Sequence, residues 1–345
     1  MTAHVGILPL SVIDALTLHL NDKVNESAAP LWRLPHPRTG LACLFLPQEK
    51  LVDPSHPRQK MSILEIQSVT PPNTRSWFIG EEVVSVSSKR GVDGKLLLMT
   101  PVDPAFLIIQ ILLASQPNDG SPGNFRPIDD IFEEAAVKLA KTPIESTPAV
   151  QDASAIPSQR DIMQLASLDC IKAAMSRICD VKEITTEITV YRFSPDNLLA
   201  YLRSKVERLS KPEILEKSRS LIRSMAKDGL MEDGREDLLE LGRVKAACDL
   251  ISQYIPPSIY QTLLSSYDFT ALNAYLKTFS NEQAALLATN ANTSKSKKKN
   301  AATNEEDTGK KRKNQVKSSN GVEKLKKANV NGMSKLSSFF KKADA

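Results

Sequence analysis

At Thr100 the spacing of apolar residues changes, and the change divides the body of the chain into two kinds of structure. Before it, short runs rich in β-branched or aromatic residues at 41–46, 63–69, 77–86 and 96–99 are separated by turn formers. The separators are Pro35-His36-Pro37, Asp53-Pro54-Ser55-His56-Pro57, Pro71-Pro72-Asn73 and Gly91-Val92-Asp93-Gly94. That rhythm predicts a small antiparallel β unit over residues 1–100. So few strands leave edges unpaired, and unpaired edges invite completion by a partner chain. After Thr100, Pro101-Val102-Asp103-Pro104 opens a helix, because Asp103 can cap it and Pro104 suits its first turn. Residues 106–113 are almost wholly apolar, which predicts a buried helix.

The helical pattern continues to about residue 270. Pro127-Ile128-Asp129-Asp130 starts a second helix whose acids complement the positive end of the helix dipole. Residues 141–158, rich in Pro, Thr, Ser and Ala, predict a mobile loop. A third helix is expected from Asp161 to Cys179. Residues 184–193 alternate like a strand or wing, with Ile184, Ile188, Val190 and Tyr191 available for packing. Ser194-Pro195-Asp196-Asn197 starts another helix, with Leu198, Leu202, Val206 and Leu209 on one face and Arg203, Lys205 and Arg208 elsewhere. Helices followed by a two-stranded wing and a further helix make a winged-helix layout, which serves nucleic acids or proteins alike. Residues 212–238 carry helix formers and glycines without a clear cue. A last periodic helix has Leu241, Val244, Cys248, Ile251 and Ile255 in register, and Pro256-Pro257 stops it.

Charge separates the body from the tail. Of 45 Lys+Arg and 40 Asp+Glu, residues 290–345 hold 15 and 5, which leaves 30 and 35 for residues 1–289. The net +5 is therefore +10 in the tail and −5 in the body. Residues 271–331, dominated by polar residues and lysine, predict a disordered basic linker. Lys297-Lys298-Lys299 and Lys310-Lys311-Arg312-Lys313 have the layout of a bipartite nuclear import signal, and the alternative, a polybasic tail touching nucleic acid, also places the chain in the nucleus. At 332–342 an apolar plug interrupts the polar tail. One helical turn would put Met333, Leu336, Phe339 and Phe340 on one face. Leu336 with Phe339-Phe340 resembles the sliding-clamp-binding box of replication and repair proteins, with Met333 where that box has Gln.

Chemistry is harder to find. His4, His19, His36 and His56 all lie in the first 56 residues, so a histidine-dependent site would have to sit in the β unit. His36, Cys43 and His56 match no common zinc spacing. Asp129, Asp130, Glu133 and Glu134 are explained by the first turns of a helix. Cys43, Cys170, Cys179 and Cys248 show no paired spacing and read as buried small hydrophobes. No phosphate loop, dinucleotide fingerprint or nucleophile elbow occurs. No stretch is long enough to span a membrane. The expectation is a chain with no catalytic residues, no metal and no cofactor.

Several blocks, taken together, carry a resemblance. Ser76-Trp77-Phe78-Ile79, then Leu96 to Leu107 through Thr100-Pro101-Val102-Asp103-Pro104, then Phe125-Arg126-Pro127-Ile128-Asp129 are similar to the run that marks the B-chain family of the three-chain eukaryotic ribonuclease H2. Val190-Tyr191-Arg192-Phe193-Ser194 and Leu250-Ile251-Ser252-Gln253-Tyr254-Ile255-Pro256 match in the same order, as does the plug with its Met. The resemblance covers about residues 40–268 and the last dozen. It implies an α+β fold: a small β-barrel unit of triple-barrel type completed by the C chain of ribonuclease H2, then a winged-helix-like domain, then the disordered basic tail. It also implies a non-catalytic member of a nuclear endonuclease that cuts RNA in RNA–DNA hybrids and at ribonucleotides embedded in DNA. The catalytic A chain would supply the metal-binding carboxylates, and the plug would reach the proliferating cell nuclear antigen clamp. Trp77 and Phe78 then belong to barrel core or interface, and Arg192, Arg203, Lys205 and Arg208 are candidate nucleic-acid contacts. A winged-helix nucleic-acid-binding regulator, or a repair-complex adaptor carrying a clamp box, remains the alternative.

Overall fold

The computed structural model describes residues 5–14, 31–50, 60–69, 76–79, 82–85, 96–117, 121–141 and 156–299. The chain divides into two compact units, Met1–Gln283 and Ala284–Ala345.

The N-terminal part is built of β1 (Val5–Ile7), β2 (Trp32–Pro35), β3 (Ala42–Lys50), β4 (Lys60–Val69), β5 (Ser76–Ile79), β6 (Glu82–Ser85) and β7 (Leu96–Val102). Five of them form one sheet in the order β1-β7-β4-β3-β2, antiparallel except for β1 beside β7. Strands β5 and β6 form a separate hairpin whose register pairs Trp77 with Val84 and Phe78 with Val83. Register sorts the large sheet into two faces, because partners across a ladder share a face. Phe45, Glu65 and Thr100 are aligned on one face, and Leu44, Ile66 and Met99 on the other.

The first face closes on helices. Helix α1 (Pro104–Ala114) begins where the sequence predicts: the Asp103 side chain accepts the Ala105 N–H and Pro104 fills the first turn. Strand β8 (Arg126–Pro127) then leads into α2 (Ile128–Lys141), which is followed by α3 (Gln159–Ala166), α4 (Asp169–Ile178), β9 (Cys179–Glu183), β10 (Thr189–Phe193) and α5 (Pro195–Leu209). Strands β8, β10 and β9 make a three-stranded sheet in that order. Helix, strand, two-part helical turn and hairpin are the winged-helix sequence of elements. One apolar core runs from Phe45, Ile63 and Val102 of the sheet through Ile108 and Phe132 to Leu165, Ile178 and Leu202. Thr100 is therefore a change of secondary structure, not a break in packing.

Three expectations are corrected by the structure. The single helix expected from Asp161 to Cys179 is two, because Ser167 and Leu168 break it and Cys179 already begins a strand. Ile184 and Ile188 do not pack: they are 55% and 49% exposed at the hairpin tip. There Thr185 Oγ1 accepts the Ile188 N–H at 3.0 Å, a local turn that the alternating pattern conceals. Finally, residues assigned to a linker from 271 onward are helical up to Lys299.

The stretch without cues, 212–238, holds α6 (Pro212–Leu215) and α7 (Arg219–Lys227), followed by α8 (Glu236–Ile251), a 3₁₀ turn at Ser252–Tyr254, α9 (Pro257–Ser265) and α10 (Thr270–Lys299). Leu215, Met225, Leu230, Phe269 and Leu272 form a second, smaller core. In the unit that starts at Ala284 the described residues are helical, with Leu286 and Leu287 exposed.

Candidate partner interface

The second face of the five-stranded sheet is as apolar as the first. It presents Leu44, Leu46, Leu64, Ile66 and Met99, and a strand that is apolar on both sides is one meant to be covered on both sides. Residues 8–14 cover part of it: Leu8 and Val12 pack against Leu46, Leu64 and Met99. The cover is itself apolar outward, with Leu10 74% exposed, and Leu44 on the sheet stays 40% exposed. Ile7 and Ile13 add to the same exposed series.

The sheet's edges are unequal. On the outer side of β2 the Arg33 N–H donates to Asp161 Oδ2 at 2.8 Å, and the Arg33 carbonyl accepts the Ser158 N–H at 2.8 Å. That edge is closed by the winged-helix part. Strand β2 reaches only Phe45, however, so among the described residues no strand pairs with the outer side of β3 from Leu46 to Lys50. Strand β1 reaches only Leu98, which leaves the outer side of β7 from Met99 to Val102 in the same state among the described residues. Unpaired rows of N–H and C=O beside an apolar face are the requirement for strand addition by another chain. The described strands form no closed barrel.

Two polar junctions hold the sheet at a fixed pose on the helices. Glu65 on β4 is buried, and its Oε2 accepts from Tyr254 Oη at 2.8 Å and from Gln67 Nε2 at 2.9 Å. His36 Nε2 stands 3.7 Å from the other carboxylate oxygen, and its ring stacks on Tyr254 with centroids 6.1 Å apart. Burial lowers the His36 pKa against the pull of Glu65, so the imidazole favours its neutral form. Burial and Glu65 push the Tyr254 hydroxyl up to about 12.

Asp103 organises the second junction. It accepts from Tyr201 Oη and from Lys205 Nζ, each at 2.5 Å, while capping α1, and Arg177 lies 3.8 Å away. Burial by itself would raise the carboxyl, but the hydrogen bonds from Lys205, Tyr201 and the Ala105 N–H outweigh it and hold it below its ordinary value.

These contacts place the candidate nucleic-acid residues. Lys205 is committed to Asp103. Arg192 forks onto Asp180 Oδ2 through Nε at 3.2 Å and Nη2 at 2.8 Å, lies over the Phe125 ring, and shares Asp180 with Asn197. Arg203 lies over Tyr267 with its guanidinium 5.5 Å from the ring centre. Arg208 is exposed on the rim of a groove of about 450 Å³ floored by Phe106, Leu209 and Tyr254. The sequence shows these cations but not their partners, since Asp103 lies far from Lys205 along the chain and Asp180 meets Arg192 only across a ladder. Trp77 and Phe78 occupy the central positions of β5 in the β5–β6 hairpin. Lys297, Lys298 and Lys299 end α10. Lys310, Lys311, Arg312, Lys313, Met333, Leu336, Phe339 and Phe340 lie outside the described residues.

Among the described residues no group of three or more His, Cys, Asp or Glu side chains is placed to hold a metal ion. Burial pushes the Cys179 and Cys248 thiols up to about 12. No described helix is long and apolar enough to cross a membrane.

Both halves of the fold have relatives. Residues 19–103 match the Ydr279p protein triple barrel domain. Residues 106–264 match the wHTH domain of the Ydr279p protein family, an RNase H2 complex component. The B subunit of ribonuclease H2 from Xenopus tropicalis is 24% identical over 191 residues, covering 55% of this chain and 51% of that protein. The Xenopus laevis protein of the same name is 23% identical over the same length, with the same coverage. The matched region thus spans about half the length of these curated relatives.

Proposed function

Because the chain belongs to the Ydr279 family of RNase H2 complex components, we propose that it is the non-catalytic scaffold of that complex. The observation that carries this reading is the five-stranded sheet with two apolar faces and open edges on β3 and β7. The C chain of the complex supplies the strands that complete the barrel. The catalytic A chain is held by the two together and cleaves RNA in RNA–DNA hybrids and at ribonucleotides embedded in DNA. Met333, Leu336, Phe339 and Phe340 tether the assembly to the sliding clamp, and the two lysine clusters direct it to the nucleus. An independent winged-helix regulator is less well supported, since Arg192 and Lys205 are spent on internal carboxylates.

The test is co-expression with the other two chains. Leu44→Glu puts a charge on the half-exposed second face, where the isolated chain tolerates it but a partner strand layer does not. Recovery of the partners with this chain should fall at least ~10-fold, the cost of an unpaired charge at an interface. Equal recovery would remove the sheet as the docking surface. Phe339→Ala with Phe340→Ala should abolish clamp binding and leave the three-chain assembly intact.

A further inference from the structure

Helix α7 carries its cations without the acidic partners that several cations elsewhere in the chain have one turn away. In α2, Lys138 pairs with Glu134 at 2.7 Å one turn back, Lys172 stands 3.9 Å from Asp169, and Arg235 is held 3.0 Å from Glu232. In α7, Arg219, Arg223 and Lys227 follow one another at four-residue spacing, so each meets a like charge on the next turn, an arrangement that weakens a helix. The first turn of α7 holds no acid. All three side chains are exposed, and among the described residues no ion pair engages them. The opposite face is fixed, because Met225 is buried in the small core with Leu221 packed beside it. The stripe is therefore held outward on a helix that cannot roll. Lys217 is exposed just before it, and Ser220 and Ser224 lie exposed beside it. A local rule broken without a compensating contact is expected at functional or strained sites.

We propose that α7 is a docking surface for the phosphate backbone of a nucleic-acid duplex, with Arg219, Arg223 and Lys227 as the contacting residues. Cations four residues apart stand ~6 Å apart along the helix. Phosphates along one strand recur every ~3.4 Å of duplex axis, so every second phosphate, ~6.8 Å on, comes near the ~6 Å spacing of the three cations. Arginine forks and serine hydroxyls are the ordinary phosphate donors. The site stands on charge and placement within this chain, and it goes beyond the scaffold reading without depending on it.

The experiment uses the full chain, in a background with Lys297, Lys298, Lys299, Lys310, Lys311, Arg312 and Lys313 changed to Gln, which removes the two basic clusters of the tail, so that the effect of α7 is read as a difference within one background. Fluorescence anisotropy follows a labelled DNA duplex, an RNA–DNA hybrid of the same sequence and a polyglutamate peptide, at salt from ~50 to ~200 mM. Both duplexes should bind alike and the peptide not at all. Arg219→Ala with Arg223→Ala and Lys227→Ala should weaken duplex binding at least ~10-fold and flatten the dependence of log K on log salt by about 2–3, as for three lost phosphate contacts. Arg219→Gln with Arg223→Gln and Lys227→Gln should do the same and keep helix propensity, so loss in both sets with unchanged circular dichroism supports the site. Unchanged affinity and slope, or equal binding of polyglutamate lost in the same variants, would overturn it, the latter in favour of an acidic protein partner.

Discussion

Asp103 does two jobs with one carboxylate: it ends β7's run by capping α1, and it receives Tyr201 and Lys205 from α5. Losing a cap costs about 1 kcal/mol, and leaving a half-buried lysine without its partner costs more. Asp103→Ala should therefore lower unfolding stability by about 2–4 kcal/mol, read from a urea midpoint at constant slope. The carboxyl titrates below its ordinary value of 3.8 in the folded chain. Its contribution is complete above that value and is lost as pH falls through the lowered one, so the Asp103→Ala deficit should shrink in strong acid. His36 acts in a higher window with a different cause. Burial lowers its pKa from 6.5, so the unfolded chain takes up the proton more readily. Its stabilising effect is full above pH 6.5 and declines as pH drops through the folded value. His36→Gln, which keeps a hydrogen-bonding group beside Glu65, should flatten the fall in stability between about pH 7 and pH 5. An unchanged pH profile would separate the imidazole from the junction.

The elements most legible in the sequence are those whose signals are local. The Asp103-Pro104 and Ser194-Pro195 starts stand where the sequence places them, because capping and proline act within one turn. The alternation over 184–193 reads one element too far, because exposed Ile184 and Ile188 keep the period of a strand while the chain is already turning. Residues 212–238 lack a readable cue because their partners come from far along the chain: Leu215 and Met225 meet Phe269 and Leu272. The same distance hides the sheet's second face, since Leu44, Leu64 and Met99 become neighbours only through the ladder. Gly229 shows how firmly the turn after α7 is joined to α10. Its φ is +71°, and an added Cβ would lie 2.6 Å from the Phe279 ring and 2.7 Å from Tyr275 Oη. Its carbonyl already accepts from Tyr275 at 3.2 Å. Gly229→Ala should cost about 2–3 kcal/mol through backbone strain and ring displacement together. Hydrogen exchange in 219–227 and 270–283 should rise together, and a loss confined to one helix would show that they are not coupled there.

At the scale of the whole molecule, one core serves both the sheet and the winged-helix part, so these should unfold in one transition rather than as separate domains. That has a consequence for assembly. A partner seated on the sheet's second face adds its binding energy to the stability of everything packed on the first face. Binding to the folded chain alone stabilises it by about 2.7 kcal/mol when the free partner is at about a hundred times its Kd. For a unit of this size each kcal/mol is worth about 2–4 °C, so the melting temperature should rise by roughly 5–10 °C as partner is titrated in. The rise should appear equally in probes of the sheet and of the helices, such as Trp32 fluorescence and far-ultraviolet circular dichroism, because both report the same core. Leu44→Glu should abolish the rise while leaving the melting temperature of the isolated chain within about 2 °C of wild type, since that side chain is already half in water. A melting temperature indifferent to partner concentration would mean that the partner does not bind the folded chain, through its sheet or through its helices, because binding at either place would stabilise the shared core.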